Sequence, residues 1–239
     1  MMKAFRAVLA TELALAARNP DMLLFGIAFP IGLMLLLGFV SVPEALRLDF
    51  GGVVCFGVCA AGLMGLPLTI SDYRHRKVLK RFRVTPASPA LLLGAQLIVQ
   101  CAYVAISAGA VALIALAGFG VRIEGGAGRF VASFILVQAS IFGIGALVGA
   151  LSPNAKVSNA VASALYFPMI LLSGATIPFE IFPRALQAAA QVLPVTQGIR
   201  LLKGAVLGTP LSELAVPAIV LSVIAAAAYS IAIAKFKWE

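Results

Sequence analysis

Charged side chains are scarce in this sequence of 239 residues: they make up 11% of it, whereas hydrophobic residues make up 62%. Soluble domains average about 25% charged and about 45–50% apolar residues. Too few charges therefore remain to cover a water-facing surface, which excludes a soluble globular enzyme and a disordered chain. The composition is typical of a polytopic membrane protein built almost wholly of membrane spans.

Cysteine and histidine are also rare. The three cysteines, Cys55, Cys59 and Cys101, all lie in apolar runs, where cysteine behaves as a small hydrophobic residue. This placement argues against a secreted disulfide scaffold. The single histidine, His75, has no second ligand nearby in the sequence, so we expect no metal site. Because charges are spread through residues 3–18, we also expect no cleavable signal peptide.

Six long apolar runs contain no Asp, Glu, Lys, Arg or His. Each is long enough to cross a bilayer, which takes about 17–25 residues. The sequence therefore predicts an all-α polytopic membrane protein with six transmembrane helices in a single domain. The runs cover residues 22–40, 50–70, 90–119, 130–151, 157–177 and 214–234.

The absence of ionisable residues from these runs also bears on function. Ion-coupled carriers and proton relays place such groups at membrane depth, so a secondary transporter is disfavoured. No phosphate-binding loop and no nucleophile–base pair can be recognised either. We therefore expect a chain that is not an enzyme. If it transports a solute uphill, another subunit has to supply the energy.

The net charge of +9 reflects where the basic residues lie. With the N-terminus placed in the cytoplasm, the cytoplasmic segments carry about twice as many Lys and Arg residues as the outer ones. This bias predicts a multi-pass protein of the plasma membrane with both termini cytoplasmic. It also explains the charge by proximity to anionic lipid, without nucleic acid as a partner.

The segment between the second and third runs is strongly basic. If Asp72–Val84 forms a helix, His75, Val78, Leu79 and Phe82 share an apolar face, and Arg74 and Arg76 belong to the opposite basic face. An apolar ridge of this kind suits a groove on a cytoplasmic partner protein. The alternative is an amphipathic anchor on the membrane surface that only sets the topology.

Residues 3–19 have a similar separation of faces and predict an amphipathic helix in the cytoplasmic interface. Glu12 falls within its apolar arc, and we expect it to pair with an arginine of the basic segment.

The outer segment, residues 178–212, is too apolar for a solvated loop and is broken by four prolines. It predicts two short re-entrant helices, Arg184–Val192 and Val195–Leu207, that line or cover an outer vestibule. A plain interfacial hairpin is the alternative.

Two blocks of sequence carry a resemblance to a known family. The first is D-Y-R-H-R-K-V-L-K-R-F-R-V-T-P-A-S-P from Asp72, and the second is L-S-G-A-T-I-P-F-E-I-F-P-R-A-L-Q followed by L-P-V-T-Q-G-I-R, from Leu172 and Leu193. With the six runs, they resemble the membrane (permease) subunits of type-2 ATP-binding-cassette exporters, which include drug, antibiotic and Nod-factor exporters. The sequence has His75–Val78 where the family has E-x-G-T.

The resemblance implies a homodimer or heterodimer of such subunits in a bacterial plasma membrane, bound to two separate ATP-binding subunits that hold ATP and Mg²⁺. It implies that residues 72–84 are the coupling helix and that the second and fifth spans face the substrate path. The matching positions of the outer motif are Ser173, Gly174, Pro178, Glu180, Pro183, Pro194, Thr196 and Arg200.

Glu180 and Arg200 are expected to form an ion pair. Aromatic and methionine side chains suit an adaptable apolar path, which selects Phe56, Met64, Tyr166, Phe167 and Met169. The favoured function is export of an amphipathic small molecule such as a drug, an antibiotic or a lipid-like compound. The alternatives are export of a lipid-linked saccharide, and a passive channel or membrane scaffold.

Overall fold

A computed structural model of the chain describes residues 2–76, 89–174 and 182–236. These residues form helices joined by short turns, and the described part contains no strand, as the sequence predicts. We number the helices α1 to α9 in chain order. Their bounds are α1 Met2–Ala16; α2 Pro20–Leu23, Leu24–Ala28 and Phe29–Val40; α3 Pro43–Cys59, Ala60–Gly65 and Leu66–His75; α4 Pro89–Leu113 and Ile114–Gly118; α5 Ala127–Leu151; α6 Ala155–Leu172; α7 Arg184–Val192; α8 Pro194–Leu207; and α9 Leu211–Lys235.

Five helices are long and apolar enough to cross a membrane. They are Pro43–His75, Leu91–Gly118, Ala127–Leu151, Ala155–Leu172 and Leu211–Lys235. The first predicted run corresponds to a shorter apolar helix, Leu24–Val40. At 1.5 Å per residue it is about 25 Å long, slightly less than the hydrocarbon core of about 30 Å.

The six long helices α2 to α6 and α9 alternate in direction. One end of the bundle, here called the basic end, carries the C-terminal ends of α3, α5 and α9. The opposite end, here called the far end, carries α7 and α8. Helix α1 packs along α4 through Leu9, Ala16 and Tyr103.

Helix α3 lies at the centre of the bundle and contacts α2, α4, α5, α6 and α8. It extends beyond the predicted run of residues 50–70 at both ends, because Pro43 begins the helix and Arg74 and His75 end it. Near its middle, the six residues Ala60–Gly65 form a π-helical turn.

Helices α3 and α5 cross very closely at this turn. A Cβ atom on Gly145 would overlap the carbonyl oxygen of Gly62, and a Cβ atom on Gly149 would lie 3.1 Å from Ile70. Gly145 and Gly149 form a G-x-x-x-G pattern, which lets membrane helices approach backbone to backbone. These glycines set the position of α3 relative to α5.

Helix α8 is a buried helix at the far end, where it packs between α3, α5 and α9. The loop between α4 and α5 caps its C-terminus, since the backbone N–H groups of Glu124 and Gly125 donate to the carbonyls of Val206 and Ala205 at 2.8 and 3.2 Å. Gly208 ends the helix with a φ of +72°, a left-handed conformation that favours glycine. Because α8 is buried within the protein, its backbone N–H and C=O groups find their hydrogen-bond partners inside the protein and need no contact with lipid.

Candidate functional site

The basic segment begins as a direct continuation of the second predicted span. Asp72–His75 belong to the last turn of α3, and the helix ends at Arg76, whose guanidinium pairs with the Asp72 carboxylate at 2.8 Å. Within the described residues, the start of the predicted coupling helix is therefore part of the span helix itself.

Tyr73 joins this end of α3 to the interfacial helix. Its hydroxyl donates a hydrogen bond of 2.5 Å to Oε2 of Glu12 on α1. Glu12 is only 6% exposed, and burial raises the pKa of its carboxyl above the ordinary value despite the opposing effect of the Tyr73 hydrogen bond. Among the described residues, the partner of Glu12 is thus a tyrosine where an arginine was expected.

Arg74 joins the same turn to two other helices. Its Nη1 donates to the carbonyl oxygens of Gly149 and Ser152, at 3.3 and 2.7 Å, where the last carbonyls of α5 have no partner within their own helix. A positive charge at this place also favours the negative end of the helix dipole. The guanidinium lies over the ring of Phe236, which follows α9, with 5.2 Å to the ring centroid.

The predicted coupling residues fall into two groups. Arg74, His75 and Arg76 lie at the end of α3. Val78, Leu79 and Phe82, which form the predicted apolar ridge, lie outside the described residues.

Three of the predicted path residues are brought together in a row of aromatic rings. Phe56 of α3 contacts Tyr166 of α6 edge-on with 6.0 Å between ring centroids, and Tyr166 contacts Phe167 at 5.4 Å. Phe29 of α2 extends the row by stacking on Phe56 at 4.9 Å. We call Phe29, Phe56, Tyr166 and Phe167 the aromatic row.

The aromatic row ends at an open face of α6. Phe167 is 57% exposed, whereas Tyr166 is buried. The Tyr166 hydroxyl makes no hydrogen bond within the part of the chain that the structure describes. The row therefore combines apolar surface with one available polar group. Of the remaining predicted path residues, Met64 lies half-buried in the π-helical turn of α3, and Met169 lies buried in α6.

The predicted outer motif is divided among several places. The Ser173 hydroxyl donates to the carbonyl of Ile170 at 2.7 Å, and Gly174 adopts a positive φ of 79° directly after α6. Pro183 precedes α7, Pro194 is the first residue of α8, and the buried Thr196 follows it. Pro178 and Glu180 lie outside the described residues, and so does the expected pairing of Glu180 with Arg200.

Arg200 lines a cavity of about 510 Å³ at the far end, between α7, α8 and α9. Arg184 lines it as well, together with Gln187, Gln191 and Gln197. Among the described lining residues, the two arginines and the three glutamine amides all carry hydrogen-bond donors. The cavity is formed by the short helices Arg184–Val192 and Pro194–Leu207, which cover almost the same residues as the two short helices predicted from the sequence. Their re-entry into the membrane stays a prediction.

Two features of these sites were missed in the sequence. Phe29 lies in the first apolar run, where nothing distinguishes it from lipid-facing aromatics. The pair Gly145 and Gly149 carried a recognisable signal, because glycines four residues apart in an apolar helix often mark a helix contact.

Among the described residues, no group of three or more His, Cys, Asp or Glu side chains could hold a metal ion.

A family model described as ABC-2 type transporter matches residues 3–207, which include α1, the basic segment and the outer motif. A search of curated proteins finds no match to the chain.

Proposed function

The chain belongs to the ABC-2 type transporter family as a permease subunit, and we propose that it exports an amphipathic small molecule, driven by ATP hydrolysis on a separate ATP-binding subunit. In this proposal two permease subunits pair in the membrane, and each receives the movement of its ATP-binding partner through residues 72–84. The basic end then faces the cytoplasm, and the shorter helix Leu24–Val40 is the sixth span.

The single observation that carries the proposal is the attachment of the basic segment to the bundle. The turn that leads into this segment is held to α1 through Tyr73 and to α5 and α9 through Arg74. A displacement of the segment by a cytoplasmic partner therefore acts on four helices at once, including the central α3. ATP can shift the conformational equilibrium only if the partner binds the two states with different affinity.

The aromatic row supports the choice of an amphipathic substrate. Its rings offer apolar area with specific edge and face geometry, and the Tyr166 hydroxyl offers one hydrogen-bonding group within it. Phe167 opens onto the exposed side of α6, which in this proposal faces the second permease subunit. A substrate with an apolar body and one polar group matches this surface.

Coupling is tested by co-purification. The double substitution Leu79→Asp with Phe82→Asp places two charges on the proposed docking ridge, so we expect the ATP-binding subunit to be lost while the permease still inserts. A matched control is Val192→Asp, which adds a charge to an exposed residue of the far end and should leave the complex intact. Retained binding and retained ATP-dependent transport in the double variant would overturn the coupling proposal.

A second candidate, export of a lipid-linked saccharide, is favoured by the cavity that Arg184 and three glutamine side chains line, since such substrates carry phosphate groups that accept hydrogen bonds. The two candidates differ in what stimulates the complex. For an amphipathic drug-like substrate, small apolar compounds increase ATP hydrolysis in vesicles containing both chains. For a saccharide exporter, only diphosphate-linked lipids do so. Solute movement by the permease alone, without ATP, would instead support a passive channel.

A further inference from the structure

Two neighbouring helices each contain a π-helical turn that ends two residues before a proline. In α2 the turn is Leu24–Ala28 and the proline is Pro30, and in α3 the turn is Ala60–Gly65 and the proline is Pro67. Proline has no N–H to donate, and its ring clashes with the carbonyl four residues earlier in an α-helix. The wider π-helical turn makes room for the ring. We call Leu24–Ala28 and Ala60–Gly65 the paired turns.

The paired turns lie against each other, and both contact α4. Close to them, the Cγ atom of Pro30 lies 3.5 Å from the position of a Cβ atom built on Gly57 of α3. Only Ser41 and Val42 join the end of α2 to the start of α3. Residues 29–59 therefore form a helical hairpin, and the backbone of both its legs is weakened at the same level of the bundle.

Hydroxyl groups also compete for the backbone of α3 directly after its turn. The Thr69 hydroxyl donates to the carbonyl of Gly65 at 2.9 Å, and the Ser71 hydroxyl donates to the carbonyl of Pro67 at 2.8 Å. Hydrogen bonds of this kind, to the carbonyl four residues earlier, often bend a helix. The sequence of α3 thus favours a bend at this place for a second, independent reason.

The two halves of α3 have different neighbours. The half that precedes the turn packs mainly on α2, α4 and α8, and the half that follows it packs mainly on α5 and α6. A bend at the turn therefore lets each half keep most of its own contacts.

Gln100 of α4 lies directly against the turn of α3. A Cβ atom on Gly65 would be 3.0 Å from Nε2 of Gln100 and 3.3 Å from Oε1, so the missing side chain of Gly65 lets the amide approach the backbone. Gln100 is fully buried, and neither atom of its amide has a hydrogen-bond partner among the described residues. A buried amide without a partner is costly. A second state of the turn, in which the amide bonds to the backbone of α3, explains its presence, since helices kink where a side chain enters their hydrogen-bond ladder.

We propose that residues 29–59 swing as a hairpin about the paired turns, and that Gln100 forms a hydrogen bond to the backbone of α3 when its turn opens. From Val42 to Ala60 the helix measures about 27 Å. A kink of about 20° therefore displaces the tip of the hairpin by about 9 Å.

The swing changes the aromatic row, because Phe29 and Phe56 belong to the hairpin, whereas Tyr166 and Phe167 belong to α6. The hinge itself is a property of this chain. Its test needs neither a substrate nor an ATP-binding subunit, so its failure would leave the proposed export function standing.

The experiment measures distances between two nitroxide labels in the full chain in lipid nanodiscs, by double electron–electron resonance. The labels are attached to p-acetylphenylalanine encoded in place of Val42, at the tip of the hairpin, and of Val131 on α5; both positions are exposed. We expect two distance populations in the otherwise unmodified chain. Gln100→Leu keeps the size of the side chain but removes the amide, so it should lower the ratio of the bent to the straight population about tenfold.

Pro67→Ala restores the missing N–H of α3, so the turn can close and a single distance should remain. The matched control is Pro168→Ala, which restores an N–H inside α6, a continuous α-helix outside the hairpin, and should keep both populations. A single distance in the unmodified chain would overturn the hinge, as would two populations that persist in Pro67→Ala. An unchanged ratio in Gln100→Leu would overturn the role of Gln100.

Discussion

The Tyr73 hydroxyl donates to the buried Glu12 carboxylate at 2.5 Å and thereby fixes the interfacial helix to the end of the central span. Burial raises the pKa of Glu12 above its ordinary value of 4.5. The folded protein therefore holds this proton more firmly than the unfolded chain does. Docking of α1 is consequently strongest below the ordinary pKa and weakens as the pH rises through the raised pKa.

The first prediction is that Glu12→Gln abolishes this pH dependence, since glutamine accepts from Tyr73 but does not ionise. Hydrogen exchange of the α1 amides, compared between the two proteins at each pH from about 4 to about 7, measures it. The unmodified chain should lose protection relative to Glu12→Gln as the pH rises. Parallel protection across the range would contradict the prediction.

The second prediction concerns Arg74 and Arg76. Arg74→Ala removes charge-assisted hydrogen bonds to carbonyls at the end of α5 and should lower the free energy of unfolding by about 1.5–3 kcal/mol. Arg76→Ala removes only an exposed pair with Asp72 and should cost much less than Arg74→Ala. Denaturation in micelles measures both, and equal losses would show that Arg74 does not hold the bundle end.

The third prediction concerns the crossing of α3 and α5. Gly145→Ala forces the two backbones apart, because its Cβ atom would overlap the Gly62 carbonyl oxygen, so we expect a loss of more than about 2 kcal/mol. Gly128→Ala on the same helix meets no neighbour and should be neutral or stabilising by up to about 1 kcal/mol. Thermal unfolding of the two variants gives the comparison, and similar melting temperatures would argue against a close crossing.

The fourth prediction concerns the aromatic row. Tyr166→Ala together with Phe167→Ala removes two rings that each contribute about 1 kcal/mol or more to binding an apolar body, so half-saturating substrate concentrations should rise about tenfold or more. Val161→Ala, a partly exposed position on the same helix outside the row, should leave them unchanged. Substrate-stimulated ATP hydrolysis in vesicles measures the shift. An unchanged substrate dependence in the double variant would remove the row from the path.

The apolar runs were sufficient to predict the helical class and the approximate places of the five helices long enough to cross a membrane, because hydrocarbon accepts backbone only in a hydrogen-bonded form. They were not sufficient to predict the ends of α3. Glu44, Arg47 and Asp49 precede the run of residues 50–70, yet the helix already includes them, and Arg47 forms an ion pair with Glu124 of the α4–α5 loop. Contacts of this kind join residues distant in sequence, so no local pattern reveals them.

The candidate sites, too, could be predicted only where they depend on local sequence. The sequence alone was enough to find the basic segment that begins at Asp72 and the prolines that break the outer segment. It did not indicate that Glu12 pairs with Tyr73, or that Phe29 completes the aromatic row, because both depend on how helices pack against one another. Chain periodicity describes the faces of a helix but not the partner that each face meets.

The length of α3 has a consequence for the membrane in which the protein works. From Arg47 to Arg74 the helix rises by about 40 Å at 1.5 Å per residue, which is close to the thickness of a bilayer including its headgroup regions, about 40–45 Å. An upright α3 therefore places one arginine in each headgroup layer. A thinner bilayer no longer matches this spacing, so the bundle has to tilt or the bilayer has to thicken around it. Lipid tail length therefore bears on the two arginines that lie at opposite ends of α3.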